Sequence, residues 1–150
     1  PFVLAIFDVD HFKRVNDEFG HVRGDEILKE VAMLLERTVR DTDVVARYGG
    51  EEFVVVMPET DLAGALTLAR RIRHKVAEQT EVTVSGGVAE AAAGDDEQTL
   101  VARADQALYA AKEEGRNCVF QHDGTEVARI APQQLIVADA DEFAVAQSGD

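Results

Sequence analysis

The run Val44-Val45-Ala46-Arg47-Tyr48-Gly49-Gly50-Glu51-Glu52-Phe53-Val54-Val55-Val56-Met57 sets two apolar segments on either side of a Gly-Gly pair and two acids. Strand-like segments joined by Gly-Gly predict a tight hairpin of the primed type, whose positive φ glycine adopts at least cost. Glu51 and Glu52 then stand at the mouth of the hairpin. A glycine turn lets a ligand approach the backbone, and an adjacent carboxylate can hold a hard cation on that ligand. Phosphate with magnesium is the first chemistry this stretch suggests.

Outward from the hairpin, Phe2-Val3-Leu4-Ala5-Ile6-Phe7 is continuously apolar, the pattern of a central strand covered on both faces, and it ends in Asp8-Val9-Asp10. Phe12, Val15 and Phe19 have helical spacing, with Gly20 as a C-cap. A second helix is expected from about Asp25 to Val39, burying Ile27, Leu28, Val31, Leu34 and Leu35. A third begins near Asp61, with Leu62, Leu66, Ala69, Ile72 and Val76 inward and Arg70, Arg71, Arg73, His74 and Lys75 largely outward. Val82 to Ser85 alternates as a strand, and Gly86-Gly87 is expected to weaken its end. A fourth helix spans roughly Gln98 to Glu114, and Cys118-Val119-Phe120 reads as a last strand. The order predicts an α+β fold with helices packed on one mainly antiparallel sheet. Residues 121–150 carry six acids against one base, Arg129, and read as an acidic C-terminal appendage or connector. Within it, Val127 to Ile130 and Leu135 to Val137 can be extended.

With 150 residues the chain is one domain by size, and 46% hydrophobic content predicts a globular one. A net charge of −14 argues against a nucleic-acid polymer as partner, which needs a basic face. A nucleotide is still admitted, because magnesium bridges carboxylates to phosphates. The single cysteine, Cys118, fits a reducing cytosol, and no apolar run is long enough to cross a bilayer. The expected location is cytoplasmic, including as the cytoplasmic domain of a membrane-bound sensor.

Asp8 and Asp10 lie where a buried strand emerges, and Glu51 and Glu52 lie on a hairpin that can sit beside it. Each pair alone reads more readily as solvated loop or turn residues. Together they supply the oxygen clusters that metal-assisted phosphoryl or nucleotidyl transfer requires. Asn16 and Asp25 read locally as helix caps, Lys112 and Arg116 as cations complementing a helix C-terminus, and Arg40-x-x-Asp43 as a surface ion pair.

Three signatures in order, Phe7-Asp8-Val9-Asp10-His11-Phe12-Lys13, then Asn16-Asp17-Glu18-Phe19-Gly20-His21 with Gly24-Asp25, then Arg47-Tyr48-Gly49-Gly50-Glu51-Glu52-Phe53, resemble those of GGDEF domains. These are the diguanylate cyclases that make cyclic di-GMP from two GTP, and Glu at the third motif position is an active variant. The resemblance covers residues 2–120 and implies a palm-like, ferredoxin-like α/β sandwich similar to class III nucleotide cyclases and polymerase palms. It implies that Asp8, Glu51 and the Val9 carbonyl hold two Mg²⁺ or Mn²⁺. Glu51 would also help deprotonate the ribose 3′-hydroxyl, and Lys13 would stabilise triphosphate charge beside Phe12 at a helix N-terminus. Asn16 and Asp25 would read guanine, His21 would assist around base or sugar, and Gly49 and Gly50 would let substrate approach. Lys112 and Arg116 would grip the β- and γ-phosphates. Arg40, Asp43 and Arg71 resemble the family's inhibitory product site, whereas Arg70 and Arg73 are expected to be solvated. Glu52 supports the metal site without an assigned role.

The family's polar turn and helix, with an Asp-x-Leu-Thr signature, normally precede the first strand, whereas this sequence starts on that strand at Pro1. The connection from the third helix to Val82 is short, and Gly86 replaces a usual β-branched residue. The resemblance thus implies a fragment of a larger signalling protein, driven by a sensory or receiver domain and active as a homodimer. One rival is a receptor that binds cyclic di-GMP or GTP without turnover, which loss of Asp8, Lys13 or Glu51 would signal; all three are present. Another is a palm-type enzyme accepting ATP, against which Asn16 and Asp25 argue.

Overall fold

The computed structural model describes residues 1–130. Strand β1 (Phe2–Val9) owes its unbroken apolar character to burial on both faces. Its odd residues Val3, Ala5, Phe7 and Val9 enter one core, while Leu4 and Ile6 enter another on the opposite side. The side-chain period of two in a strand makes this division possible.

Around it are helices α1 (Phe12–Phe19) and α2 (His21–Thr38), strands β2 (Val44–Arg47) and β3 (Glu52–Pro58), and helix α3 (Leu62–Gln79). Strand β4 (Val84–Glu90), helix α4 (Glu97–Glu113) and strands β5 (Val119–His122) and β6 (Val127–Arg129) complete the described part. The sheet order is β2-β3-β1-β4-β5-β6, and every pairing is antiparallel except β4 with β5. Helices α1, α2 and α3 supply the larger core on one face through Phe12, Ile27, Val31, Leu35, Ala69, Ile72 and Val76. Helix α4 covers the other through Leu100, Ala104 and Leu108. The mainly antiparallel sheet covered by helices is therefore as expected. Residues 127–129 add an edge strand to β5, and Ile130 is buried in the larger core. The expectation for Leu135 to Val137 lies outside the described residues.

Three local readings need correction. The Gly86-Gly87 pair does not end its strand: β4 runs through both glycines to Glu90. A Cβ on Gly87 would stand 2.2 Å from the Ala104 carbonyl oxygen and 2.4 Å from the Leu108 nitrogen, so the missing side chain is what seats α4 on the sheet. The Cβ of a residue at Gly86 would meet the Phe7 ring at 2.7 Å. Second, α2 begins at His21, four residues before the expected start. Helix α1 closes on Gly20 at φ 87°, and α2 starts from that same residue without a side-chain cap. Third, β2 and β3 are joined by Tyr48–Glu51, and neither Gly49 nor Gly50 is among the glycines at positive φ. Tyr48 and Gly49 instead donate their N–H groups to the Glu52 carbonyl at 2.8 and 3.3 Å, so the turn is wider than a primed two-residue one.

Candidate active site

The C-terminal end of β1 places Asp8 between the starts of two neighbours, opposite Glu52 on β3 and Ser85 on β4. The Val9 N–H donates to the Glu51 carbonyl at 3.1 Å, which ties the Gly-Gly turn to the strand end. Beside this junction lies a cleft of about 680 Å³, lined by Asp8, Val9, Phe12, Lys13, Glu51, Lys112 and Arg116 among others. Seven expected site residues, drawn from β1, α1, the hairpin and the far end of α4, thus share one concavity.

The charges in it are strained in a consistent direction. Burial pushes the Asp8 carboxyl above its ordinary pKa, opposed by Lys112, whose Nζ lies 3.1 Å from Asp8 Oδ2. Glu51 and Glu52 are also raised, first by burial and then by the negative charge of Asp8. Three carboxyls that resist ionisation, Asp8 and Glu51 in the cleft and Glu52 beside Asp8 on the neighbouring strand, form a place where added positive charge is favoured. Hard oxygen donors of this kind suit Mg²⁺ or Mn²⁺. Among the described residues no cluster of three His, Cys, Asp or Glu could by itself hold a metal. Asp8, Glu51 and a backbone carbonyl fit a cation that completes its shell with water and phosphate oxygens.

Asp10, the second acid of the Asp-x-Asp pair, is an internal fastener. It is buried, and its carboxylate accepts from Thr83 Oγ1 at 2.7 Å, Ser85 Oγ at 2.6 Å and the Asn117 N–H at 3.0 Å. It joins β1, β4 and the loop after α4. Sequence reasoning missed Thr83, Ser85 and Asn117, because their partner lies 73 to 107 residues away. His11, Arg14, Asp17 and Glu18 also line the cleft without having been singled out as ligands. His11 carries φ 55° as the N-cap of α1 and makes no side-chain capping bond, leaving the first-turn amides of α1 at the cleft.

The expected base-reading residues lie at the α1–α2 junction. Asn16 packs over Gly24, where a Cβ would stand 2.0 Å from Asn16 Oδ1. Asp25 is exposed in α2, past its first turn, which removes the capping alternative, and it lines a second depression of about 410 Å³ with Leu28, Val45 and Phe53. His21 is exposed at the start of α2.

Arg40 and Asp43 do pair. The Asp43 side chain is 0% exposed and accepts from the Arg40 backbone N–H at 2.9 Å and from its guanidinium at 3.3 and 3.4 Å. Arg40 also bonds the Thr60 hydroxyl. Arg71 is exposed on α3. The expectation that Arg70 and Arg73 are solvated fails: both are half-buried, and burial lowers the pKa of each guanidinium. Arg73 Nη1 donates to Asn117 Oδ1 at 2.9 Å.

Comparison with known proteins agrees with this geometry. The family model described as "Diguanylate cyclase, GGDEF domain" matches residues 1–118. The response regulator PleD of Caulobacter vibrioides is 48% identical over 130 residues, covering 79% of this chain and 29% of that protein. The active GGEEF domain of a diguanylate cyclase from Vibrio cholerae superposes with a TM-score of 0.73 at 40% identity, covering 77% of this chain and 79% of that one. The GGDEF domain of DgcB from Caulobacter crescentus, solved in complex with c-di-GMP, gives a TM-score of 0.73 at 38% identity, covering 77% and 74%. The chain spans less than a third of PleD.

Proposed function

Because the chain belongs to the GGDEF family of diguanylate cyclase domains, we propose that it condenses two GTP into cyclic di-GMP with release of two pyrophosphates. The observation that carries this reading is the convergence of Asp8, Glu51, Lys13, Lys112 and Arg116 on one cleft beside the Gly-Gly turn. In each half-reaction the 3′-oxygen of one GTP forms a bond to the α-phosphorus of the other. The bond from that phosphorus to the pyrophosphate oxygen breaks, and the 3′-hydroxyl proton passes to Glu51. Two Mg²⁺ or Mn²⁺ held by Asp8, Glu51 and the Val9 carbonyl would polarise the α-phosphate and acidify the attacking hydroxyl.

The remaining residues orient and neutralise. Lys13 and the first-turn amides of α1 meet the triphosphate, and Lys112 and Arg116 take its distal oxygens. Lys112 stands where the charge of Asp8 and the charge of the triphosphate would meet, 3.1 Å from the former. Asn16 and Asp25 read the guanine edge, the Asp25 carboxylate accepting from the ring N–H and amino group, assisted by His21, while Phe12 walls the cleft. One protomer presents one such cleft, so closing the ring requires a second copy facing it.

Arg40, Asp43 and Arg71 form a separate product site under this reading. The buried Asp43 carboxylate is reached only when Arg40 turns from it, so product binding exchanges one charge-assisted pair for another. Upstream sensory or receiver control and a cytoplasmic setting complete the proposal. Substituting Glu51→Gln and following cyclic di-GMP by chromatography tests the catalytic reading: product synthesis should vanish, and near-wild-type synthesis with magnesium as the only metal overturns it.

A further inference from the structure

The connection from α4 to β5 is held in an unusual backbone state. Gly115, Arg116 and Asn117 have φ 112°, 66° and 49° in succession. Two consecutive non-glycine residues in that region are costly and persist only when their surroundings over-determine them. Here the constraints can be named. The Arg116 N–H donates to the Ala111 carbonyl at 3.0 Å, and the Asn117 N–H donates to Asp10 Oδ2 at 3.0 Å. The Gly86 N–H donates to the Cys118 carbonyl at 3.0 Å. The last tie comes from α3: Arg73 Nη1 donates to Asn117 Oδ1 at 2.9 Å.

We infer that Arg73 is a positioning residue for the phosphate-binding cleft, acting through Asn117 to hold the left-handed turn that aims Arg116 at the distal phosphates of the nucleotide. Arg116 lines the cleft, whereas Arg73 does not. The Asn117 side chain is fastened to α3 while its backbone N–H is fastened to the end of β1, so the turn is clamped from two sides. Without the Arg73 bond, Asn117 keeps one clamp, and Arg116 gains conformations that point away from the cleft. The inference rests on the proposed nucleotide site. Its signature is selective, because Arg116 meets only phosphates beyond the first: the loss should appear for a triphosphate and not for a monophosphate.

The test measures calorimetric binding of 3′-deoxy-GTP and 3′-deoxy-GMP with Mg²⁺, ligands that lack the attacking hydroxyl and are not consumed. Arg73→Ala should weaken 3′-deoxy-GTP about tenfold, the size of one charge-assisted hydrogen bond, and leave 3′-deoxy-GMP within about twofold. In an Arg116→Ala background it should cost nothing further, since residues acting in series are not additive. Asn117→Gly retains both the left-handed backbone and the N–H to Asp10, and should reproduce the loss even where Arg73→Ala fails to fold. Equal weakening of both nucleotides, a cost that adds to that of Arg116→Ala, or no change in Asn117→Gly overturns the inference. Wild-type protein that binds the two ligands equally overturns it together with the proposed site, a result read before any variant is made.

Discussion

Asp8, Glu51 and Glu52 are held above their ordinary pKa values mainly by burial, so folding favours their protonated forms. A carboxyl whose pKa folding raises weakens the folded state at pH above that raised value, and the penalty is relieved as pH falls through it. In metal-free solution at neutral pH, Glu51→Gln should therefore unfold at a higher temperature than wild type. The gap should close as pH is lowered into the raised carboxyl range, because wild type then takes up the proton. Thermal unfolding across that range checks this, and a less stable Glu51→Gln at neutral pH would contradict it. Asp8→Asn should abolish synthesis as Glu51→Gln does, although it also removes the partner of Lys112. At the base, wild type should favour GTP over ATP in kcat/KM by at least about a hundredfold, because adenine leaves polar groups at Asn16 and Asp25 unpaired. Steady-state rates with the two nucleotides decide it, and comparable values would show that these residues do not read the base. Asp8 and Glu51 were legible in the sequence because a strand end and a glycine turn flag them locally. Asp10 was flagged by the same strand end as a candidate cation ligand, but its fastening role was not legible, since its donors Thr83, Ser85 and Asn117 reach it only through the sheet.

Elements were legible where period and caps agree. Helix α3 starts after Asp61, whose side chain accepts from the Gly64 N–H at 2.8 Å. Helix α4 starts at a capping box made by Asp96 and Thr99. Glycine misled in both directions. At Gly49-Gly50 it predicted a primed turn that did not form, and at Gly86-Gly87 it predicted a weak strand end where tertiary packing demanded the smallest residue. That contrast gives a prediction for α4, the helix that carries Lys112 to Asp8. Gly87→Ala drives a methyl into the backbone of α4 and should cost about 3 kcal/mol, the upper range for overpacking a core, and should weaken nucleotide binding with it. Gly50→Ala meets nothing within 4 Å and should change stability by no more than about 0.5 kcal/mol. Urea denaturation of both variants measures the difference. Equal stabilities would mean that α4 is not seated on Gly87.

At the scale of the whole molecule, the sheet brings β1, the hairpin and α4 to one end, whereas the loop after α2 holds Arg40 and Asp43 beside Thr60, past the end of β3 away from the hairpin, and Arg71 stands on α3. Product should therefore bind apart from the GTP cleft and inhibit noncompetitively. Calorimetry of cyclic di-GMP with wild type and Arg40→Ala tests the placement: affinity should fall in the variant, and unchanged affinity would put the product in the active site or another place. The order of elements through β5 and the mainly antiparallel sheet could be read from hydrophobic period together with glycine punctuation. The Arg73–Asn117 bond could not, because an arginine on the polar side of α3 reads as solvated until the turn after α4 is seen beside it. Under the proposed function, one cleft per protomer would make turnover a property of two copies. The central claim is tested most directly by incubating the protein with GTP and Mg²⁺ over a wide range of protein concentration and resolving the products. Cyclic di-GMP with two pyrophosphates for each, formed at a rate per protomer that rises with protein concentration, is the expected result. GTP that is bound but unconverted at every concentration would contradict the account and leave a nucleotide receptor in its place.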